Sequence, residues 1–204
     1  MTDEMRLRQI VAAMYRLNGG DAEHERVRRD PDRLDVLRRH GVLDKPADGT
    51  FDDIAALAVS VCGTAMSTVS IVDADRVWFA ASRGLDGVSE VGVDPGLCAS
   101  AFCAHGPYMI EDLQVEPRTL SHPLVRGGLG LRFYAAAPII TRDGHRLGVV
   151  TALDVITQKL TPDQRASLVR LAGLVARQLD LRLDALRAVR AERWAGRNPD
   201  RGSP

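Results

Sequence analysis

Residues 131–154 carry apolar side chains on both sides of a short polar turn, a pattern that predicts two long strands joined as a hairpin. Alternation along the first strand places Phe133, Ala135, Ala137 and Ile139 on one face and Tyr134, Ala136 and Ile140 on the other. Because both faces are apolar, protein rather than water should cover each of them. The turn contains Asp143 and Gly144, residue types that tolerate the positive φ of a tight hairpin. The three alanines leave volume beside the sheet, which either a packed helix or a ligand must fill.

The rest of the chain alternates between helical and strand patterns. Apolar residues at helical spacing predict helices over residues 4–17, 31–41, 50–63, 97–106 and 162–194. Short apolar runs between turn residues predict strands over residues 68–73, 77–82, 91–93 and 108–110. Start signals support three of the helices, since Asp30, Thr50 and Thr161 can each cap the first turn of the helix that follows. This order indicates an α+β fold with a mainly antiparallel sheet of five or six strands and extra helices at both ends.

Composition narrows the classes of function. The chain has 204 residues, which suits one globular domain with terminal additions. Its formal net charge is zero and its aromatic content is 4%, which argues against binding to nucleic acid. No apolar run approaches the roughly 20 residues needed to span a membrane, so we expect a cytoplasmic protein without a membrane partner. The three cysteines are too few for a disulfide framework and should stay reduced in the cytoplasm.

The last predicted helix is apolar over more than one face. Its apolar residues are Leu168, Leu171, Ala172, Val175, Leu179, Leu183, Leu186 and Val189, with Leu174 and Leu181 beside them. One side can cover the sheet, and the other can contact a partner. We therefore expect a homodimer in which this helix and residues 4–17 form a bundle. The alternative is a solvated extension whose arginines point outward.

Several side chains are candidates for a binding site, and each has a structural alternative. Cys98 falls in the first turn of a short helix, where the helix dipole lowers the pKa of a thiol, although a cysteine is more often a small buried hydrophobe. Arg118 is the best candidate for binding an anion, because its planar fork matches carboxylate or phosphate, and Asp112 could instead pair with it to hold a loop. The aromatic residues that could line a pocket are Trp78, Phe102, Phe133 and Tyr134. Strand alternation prevents Phe133 and Tyr134 from facing the same pocket. The spacing of cysteines and histidines fits no standard zinc pattern, so we expect no metal site.

The order of short motifs over residues 31–179 resembles a known family. The landmarks are Asp73 with Arg76 and Trp78, then Cys98, Asp112 with Arg118, the stretch RFYAAAP, and the Asp143-Gly144 turn. Together they are similar to the GAF domains of bacterial sensory proteins. The resemblance implies a central antiparallel sheet of GAF/PAS-like type, with residues 50–63 and 162–194 on one face. Residues 97–106 and the loops would cover the other face and enclose a small pocket. Ala136 departs from the glycine common at this place in the subgroup.

The resemblance also implies a domain layout and a function. Residues 31–180 would form the GAF domain, with an N-terminal helix and linker over 1–30 and a helical extension and tail over 181–204. We expect a non-catalytic sensory or regulatory module that binds a small molecule of unknown identity beside residues 97–106. Residues 181–204 are too short for an output domain, so in a complete chain the signal would pass to a separate protein. The alternative is a longer protein whose output domain lies outside this sequence. The predicted ligand-binding residues are Trp78, Cys98, Phe102, Asp112, Arg118, His122, Phe133 and Tyr134.

Three alternatives accompany this prediction. Some GAF domains bind haem through a histidine, and His105 and His122 are the possible axial ligands here. Free methionine-sulfoxide reductases share the fold, and in such an enzyme Cys98 would be the nucleophile and Cys103 or Cys62 the resolving thiol. A ligand-free structural dimer with a filled core is the third.

Overall fold

The computed structural model describes residues 26–44, 48–85, 87–92, 97–104, 106–117, 119–120 and 123–197, and leaves out the side chains of residues 98–100, 123 and 195–197. The helices are α1 Pro31–His40, α2 Asp52–Cys62, α3 Cys98–Cys103, α4 Pro123–Arg126 and α5 Pro162–Arg197. The strands are β1 Met66–Val72, β2 Arg76–Arg83, β3 Glu90–Gly92, β4 Tyr108–Ile110, β5 Phe133–Ile140 and β6 Arg146–Asp154. The predicted helix over residues 4–17 lies outside the described residues. Among the described helices, none is long and apolar enough to cross a lipid bilayer.

The six described strands form one antiparallel sheet in the order β3-β2-β1-β6-β5-β4. The predicted hairpin is confirmed as β5 and β6, which pair from Phe133 opposite Asp154 to Ile140 opposite Arg146. Gly144 in its turn has a φ of 83°, a conformation that glycine adopts without steric cost. Because β4 pairs with the first half of β5, the alanine-rich strand lies inside the sheet and not at its edge.

Two helices cover one face of the sheet, which we call the helix layer. The side chains of α2 and α5 pack there on alternate residues of β1, β5 and β6. Ala135 and Ala137 are fully buried in this layer with Ala172, Val175 and Ala176 of α5. A helix therefore fills the volume beside these two alanines, and helix packing rather than a ligand accounts for their small side chains.

Helix starts follow the sequence in two of the three predicted cases. The side chain of Asp30 accepts a hydrogen bond from the backbone N–H of Asp32, and Thr161 forms a capping box with Gln164 in which each side chain bonds the other's N–H. The prediction that Thr50 caps α2 is wrong. Its helix begins at Asp52 after the N-cap residue Phe51, which makes no side-chain cap bond. A turn comes first, in which the N–H of Asp52 donates to the carbonyl oxygen of Gly49 and is therefore not available to the threonine hydroxyl.

Helix α1 lies across one end of the sheet and contacts both layers. Leu37 is buried in the helix layer, whereas Arg33 stacks on Phe102 on the opposite face, 5.0 Å from the ring centroid. At the C-terminal end of α1, Nε2 of the buried His40 lies 3.7 Å from Oδ1 of Asp180 on α5. The other oxygen of Asp180 accepts the backbone N–H of Arg142 in the β5–β6 turn, at 3.0 Å. Helix α1 is therefore part of the packed structure.

Candidate functional site

The face of the sheet opposite the helix layer, which we call the site face, lies beneath α3 and the loops around it. Its buried apolar residues are Met66, Val72, Val77, Leu97, Ala101, Phe102, Ile110, Leu113, Val125, Leu131, Tyr134, Ala136, Val149 and Leu153. Helix α3 packs on β4, β5 and β6. The rings of Tyr108 and Tyr134 meet edge to face, with centroids 6.2 Å apart. The site face is therefore enclosed by apolar side chains, and its few polar groups define what it can bind.

Three buried hydroxyls lie on the site face at the centre of the sheet. Thr68 and Ser70 alternate along β1 with residues that face the helix layer. Thr151 of β6 lies directly opposite Thr68 in the pairing of these two strands. Oγ1 of Thr68 lies 2.6 Å from Oγ of Ser70 and 2.7 Å from Oγ1 of Thr151, which also accepts the N–H of Thr68 at 3.0 Å. All three residues are at most 2% exposed. We call them the hydroxyl trio.

Arg146 fixes the C-terminal end of α3. Its Nη1 donates to the carbonyl oxygens of Phe102 and Cys103, at 3.1 and 2.6 Å. A cation at the C-terminal end of a helix satisfies carbonyls that have no partner within the helix and complements the negative end of its dipole. The arginine of β6 thereby attaches α3 to the sheet.

Arg33 supplies a buried positive charge on the same face. The residue is 3% exposed, and its Nη1 donates to the carbonyl oxygen of Val72 at 2.7 Å. Its Nε and Nη2 both donate to the carbonyl oxygen of Arg28. Burial lowers the pKa of Arg33 to about 10, against the opposing effect of the nearby carboxylates Asp73 and Asp30. The guanidinium therefore stays charged at neutral pH while its hydrogen bonds go to backbone carbonyls.

Asp112 has a structural partner that the sequence did not indicate. Its two carboxylate oxygens accept hydrogen bonds from Nε and Nη2 of Arg132, at 2.9 and 2.7 Å. The bidentate bond to Arg132 holds the pKa of Asp112 below its usual value. The N–H of Leu113 also donates to the carbonyl oxygen of Arg132, at 2.7 Å. Asp112 therefore ties the end of β4 to the start of β5 through Arg132.

The predicted ligand-binding residues divide between the two faces of the sheet. Phe102 and Tyr134 lie on the site face, as expected beside α3. Phe133 and Trp78 pack instead in the helix layer, where Trp78 also lies 5.7 Å beneath the guanidinium of Arg76. The predicted set therefore does not line a single pocket, because the sheet separates its aromatic residues. Cys98 begins α3, but its side chain lies outside the described part of the structure, as do the residues Arg118, His105 and His122.

The described thiols occupy different environments. Cys62 is buried in the helix layer, where burial raises the pKa of its thiol to about 11. Cys103 lies at the far end of α3 from Cys98, on the other side of the sheet from Cys62. Cys62 and Cys103, the two thiols predicted as possible resolving partners of Cys98, therefore lie on opposite faces of the sheet. Within the described residues, no cluster of three histidine, cysteine or acidic side chains could hold a metal ion.

Sequence reasoning did not identify Arg33 or the hydroxyl trio as site residues. The signal for the trio was present in the stretch TVSIV, where hydroxyl residues alternate with aliphatic ones on a strand. Arg33 gave no such signal, because an arginine on an amphipathic helix is ordinarily solvated. Only the docking of α1 against Phe102 shows its place.

The comparisons with known proteins agree with this architecture. The sequence matches the GAF domain family over residues 46–179. It is 37% identical over 114 residues to the cyclic di-GMP phosphodiesterase PA2567 of Pseudomonas aeruginosa, a stretch that covers 56% of this chain and 19% of that protein. The matched stretch thus spans about a fifth of the length of this relative.

Solved structures share the fold at low sequence identity. The blue-light absorbing form of the PixJ GAF domain from Thermosynechococcus elongatus matches with a TM-score of 0.56 and 19% identity, over 78% of this chain and 95% of that one. Free methionine-R-sulfoxide reductase from Neisseria meningitidis, solved with its substrate, matches with a TM-score of 0.56 and 19% identity, over 75% and 91% of the two chains. At these identities the likeness shows the fold alone. The six-stranded antiparallel sheet and the family match over most of the chain together show that this protein belongs to the GAF domain family.

Proposed function

We propose that the chain is a non-catalytic sensory GAF module that binds a small molecule on the site face, dimerises through α5 and signals to a separate cytoplasmic protein. The observation that carries this proposal is the second apolar face of α5. One side of the helix is buried against the sheet by Leu168, Leu179 and Leu183. The exposed fractions of Leu174 and Leu181, on the opposite side, are 42% and 69%.

The end of α5 extends past the body of the domain. Leu183 is its last buried residue, and the described side chains from Asp184 to Trp194 are exposed or half-buried. With a rise of about 1.5 Å per residue, the part of the helix after Leu183 is roughly 20 Å long. An isolated helix of that length is marginal in water, so packing against a second copy would stabilise it. Val189 and Trp194 supply exposed apolar surface on this extension.

Leu174 and Leu181 are seven residues apart, which is two turns, and they continue one line along the helix. Two such helices packed side by side would form a short coiled-coil seam. A ligand on the site face would change this seam only if its affinity differs between two arrangements of the helices. The Pseudomonas relative is a phosphodiesterase of which only a short stretch is similar, which supports a regulatory role for the shared segment.

Sedimentation equilibrium at micromolar concentration tests the dimer. We expect a dimer for the wild type and a monomer for Leu181→Glu, because a charge at the seam would face its own copy across the interface. The matched control is Ile156→Glu, which places the same charge at an apolar residue that is 61% exposed and belongs to the loop between β6 and α5. A monomeric wild type, or equal dissociation of both variants, would refute dimerisation through α5.

A non-catalytic role is proposed over the reductase alternative because the described thiols do not converge. Native mass spectrometry of freshly purified protein would report a retained small molecule directly. Turnover of free methionine sulfoxide with a thiol reductant, lost in Cys98→Ser, would instead establish the enzyme. If neither a bound molecule nor turnover is found, the structural dimer is the remaining function.

A further inference from the structure

We propose that the site face takes an anionic small molecule, and that Arg33 and the hydroxyl trio bind its carboxylate or phosphate group. This inference rests on the proposed ligand binding and specifies its chemistry. Both Arg33 and the hydroxyl trio carry hydrogen-bond donors that have no acceptor among the described residues.

The hydroxyl trio has three O–H protons but only two contacts between its oxygens. Thr68, Ser70 and Thr151 carry three O–H groups, and two oxygen–oxygen contacts join them. Each contact uses one proton whichever oxygen donates, and Oγ1 of Thr151 also accepts the backbone N–H of Thr68. One hydroxyl proton therefore has no acceptor among the described residues. A buried donor in that state costs about 1–3 kcal/mol until an acceptor arrives.

Arg33 also has hydrogen-bond donors without an acceptor, and in addition it carries a positive charge. A guanidinium has five N–H donors, and the contacts of Arg33 to Val72 and Arg28 use three of them. Both acceptors are backbone carbonyls, so within the described structure no carboxylate is hydrogen-bonded to this buried cation. The carboxylates of Asp73 and Asp30 raise the pKa of Arg33 only through longer-range electrostatic attraction. Asp73 is half-exposed, and its Oδ2 lies 3.6 Å from Nε of Arg76.

The two groups lie close together on the site face. Arg33 donates to the carbonyl oxygen of Val72, and Ser70 precedes Val72 by two residues on the same face of β1. Residues two apart along a strand are spaced by roughly 7 Å, and from this spacing we infer that one carboxylate or phosphate group can reach both the guanidinium and the hydroxyl of Ser70. The ring of Phe102 lies beneath the guanidinium and keeps it out of water.

The arrangement favours an anion because its charge is positive and its unused hydrogen-bond groups include three donors. Two N–H groups, one O–H group and a positive charge suit an oxyanion, whose oxygens carry several lone pairs. A cation would be repelled by Arg33, and a neutral ligand would leave the buried charge without a counterion. Arg132 and Arg146 are already engaged, Arg132 by the carboxylate of Asp112 and Arg146 by the carbonyl oxygens of α3.

The test measures thermal stability in inorganic phosphate and in pyruvate, each against sodium chloride at the same ionic strength. We expect a saturable rise in Tm with at least one of the two anions, and the comparison tells phosphate from carboxylate preference. In Ser70→Ala we expect the dissociation constant to rise about tenfold, the loss of one hydrogen bond to a charged group. In Arg33→Met we expect no saturable response, while the aliphatic stem still covers Phe102.

Arg132→Met is the matched control, since it removes an arginine that is engaged elsewhere, and it should keep the wild-type response. If Arg33→Met does not fold, Ser70→Ala still decides the outcome. No response of the wild type up to 50 mM, or an unchanged response in both site variants, would overturn the proposal. A neutral or cationic molecule retained in native mass spectrometry would refute the proposal of an anionic ligand but would support small-molecule binding. If there is neither a retained molecule nor a response to an anion, both the anionic ligand and small-molecule binding are refuted.

Discussion

Replacing Gly148 by alanine should open the centre of the sheet. Gly148 lies on β6 opposite Ile71 of β1, and a Cβ built there would be 1.9 Å from the carbonyl oxygen of Ser70 and 3.0 Å from the Cα of Ile71. The obstacle is backbone, which cannot rotate aside as a side chain does. Relief requires β1 and β6 to separate locally, with the loss of roughly two or three ladder hydrogen bonds. At about 1 kcal/mol each, and more where a buried group stays unsatisfied, the expected loss is about 2–5 kcal/mol.

Urea unfolding followed by circular dichroism measures this loss. The matched control is Gly128→Ala, because a Cβ at Gly128 meets no atom within 4 Å, and it should change the free energy of unfolding by less than about 0.5 kcal/mol. The reasoning would be refuted if Gly148→Ala were as stable as the control. A decrease in midpoint with an unchanged slope would indicate that stability alone was altered.

Three further predictions follow from buried groups. Leu37→Ala should destabilise the protein by about 2–5 kcal/mol in urea unfolding, because Leu37 is 1% exposed, while Leu57→Ala at a 47% exposed residue should be nearly neutral. Asp154→Ala should lower the free energy of unfolding by about 2–4 kcal/mol in thermal unfolding. Its carboxylate accepts the N–H of Ala65 at 2.9 Å and that of Val155 at 2.7 Å, and both donors would lose their acceptor. Asp154→Asn keeps one acceptor oxygen and should therefore cost less. The folded-state pKa of Cys62, about 11, lies above the usual 9.0, so its neutral thiol contributes stability that is present below pH 9 and lost as pH rises through 11. At pH 8 a thiol reagent should label Cys62 only when the protein unfolds, and rapid labelling in the folded state would contradict its burial.

The periodic parts of the sequence predicted the fold because burial and periodicity are linked. The β5–β6 hairpin, with Phe133 and Tyr134 on opposite faces, could be derived from alternation and a turn signal alone. The same holds for the buried side of α5. A strand that is apolar on both faces has to lie between two layers, and the structure has both of them.

The site could be predicted only in part, because its polar groups depend on long-range packing. Phe102 was expected on the site face through the family resemblance, but Arg33 required the knowledge of where α1 docks. Trp78 was placed in the ligand set because it is large and aromatic, whereas the register of β2 turns it toward the helix layer. The predicted cap by Thr50 was wrong for a similar reason, because the N–H of Asp52 is bonded to the carbonyl oxygen of Gly49 in a backbone turn.

The position of α1 bears on where this protein can be cut. The family match begins at residue 46, after α1 has ended. A fragment starting there would lose Leu37 from the helix layer and Arg33 from the site face, together with the contact of His40 to Asp180. Exposed apolar surface would result on two sides of the sheet at once. The cooperative folding unit therefore begins upstream of the recognisable domain border, and expression clones should start before Arg28, whose carbonyl oxygen receives two of the bonds of Arg33.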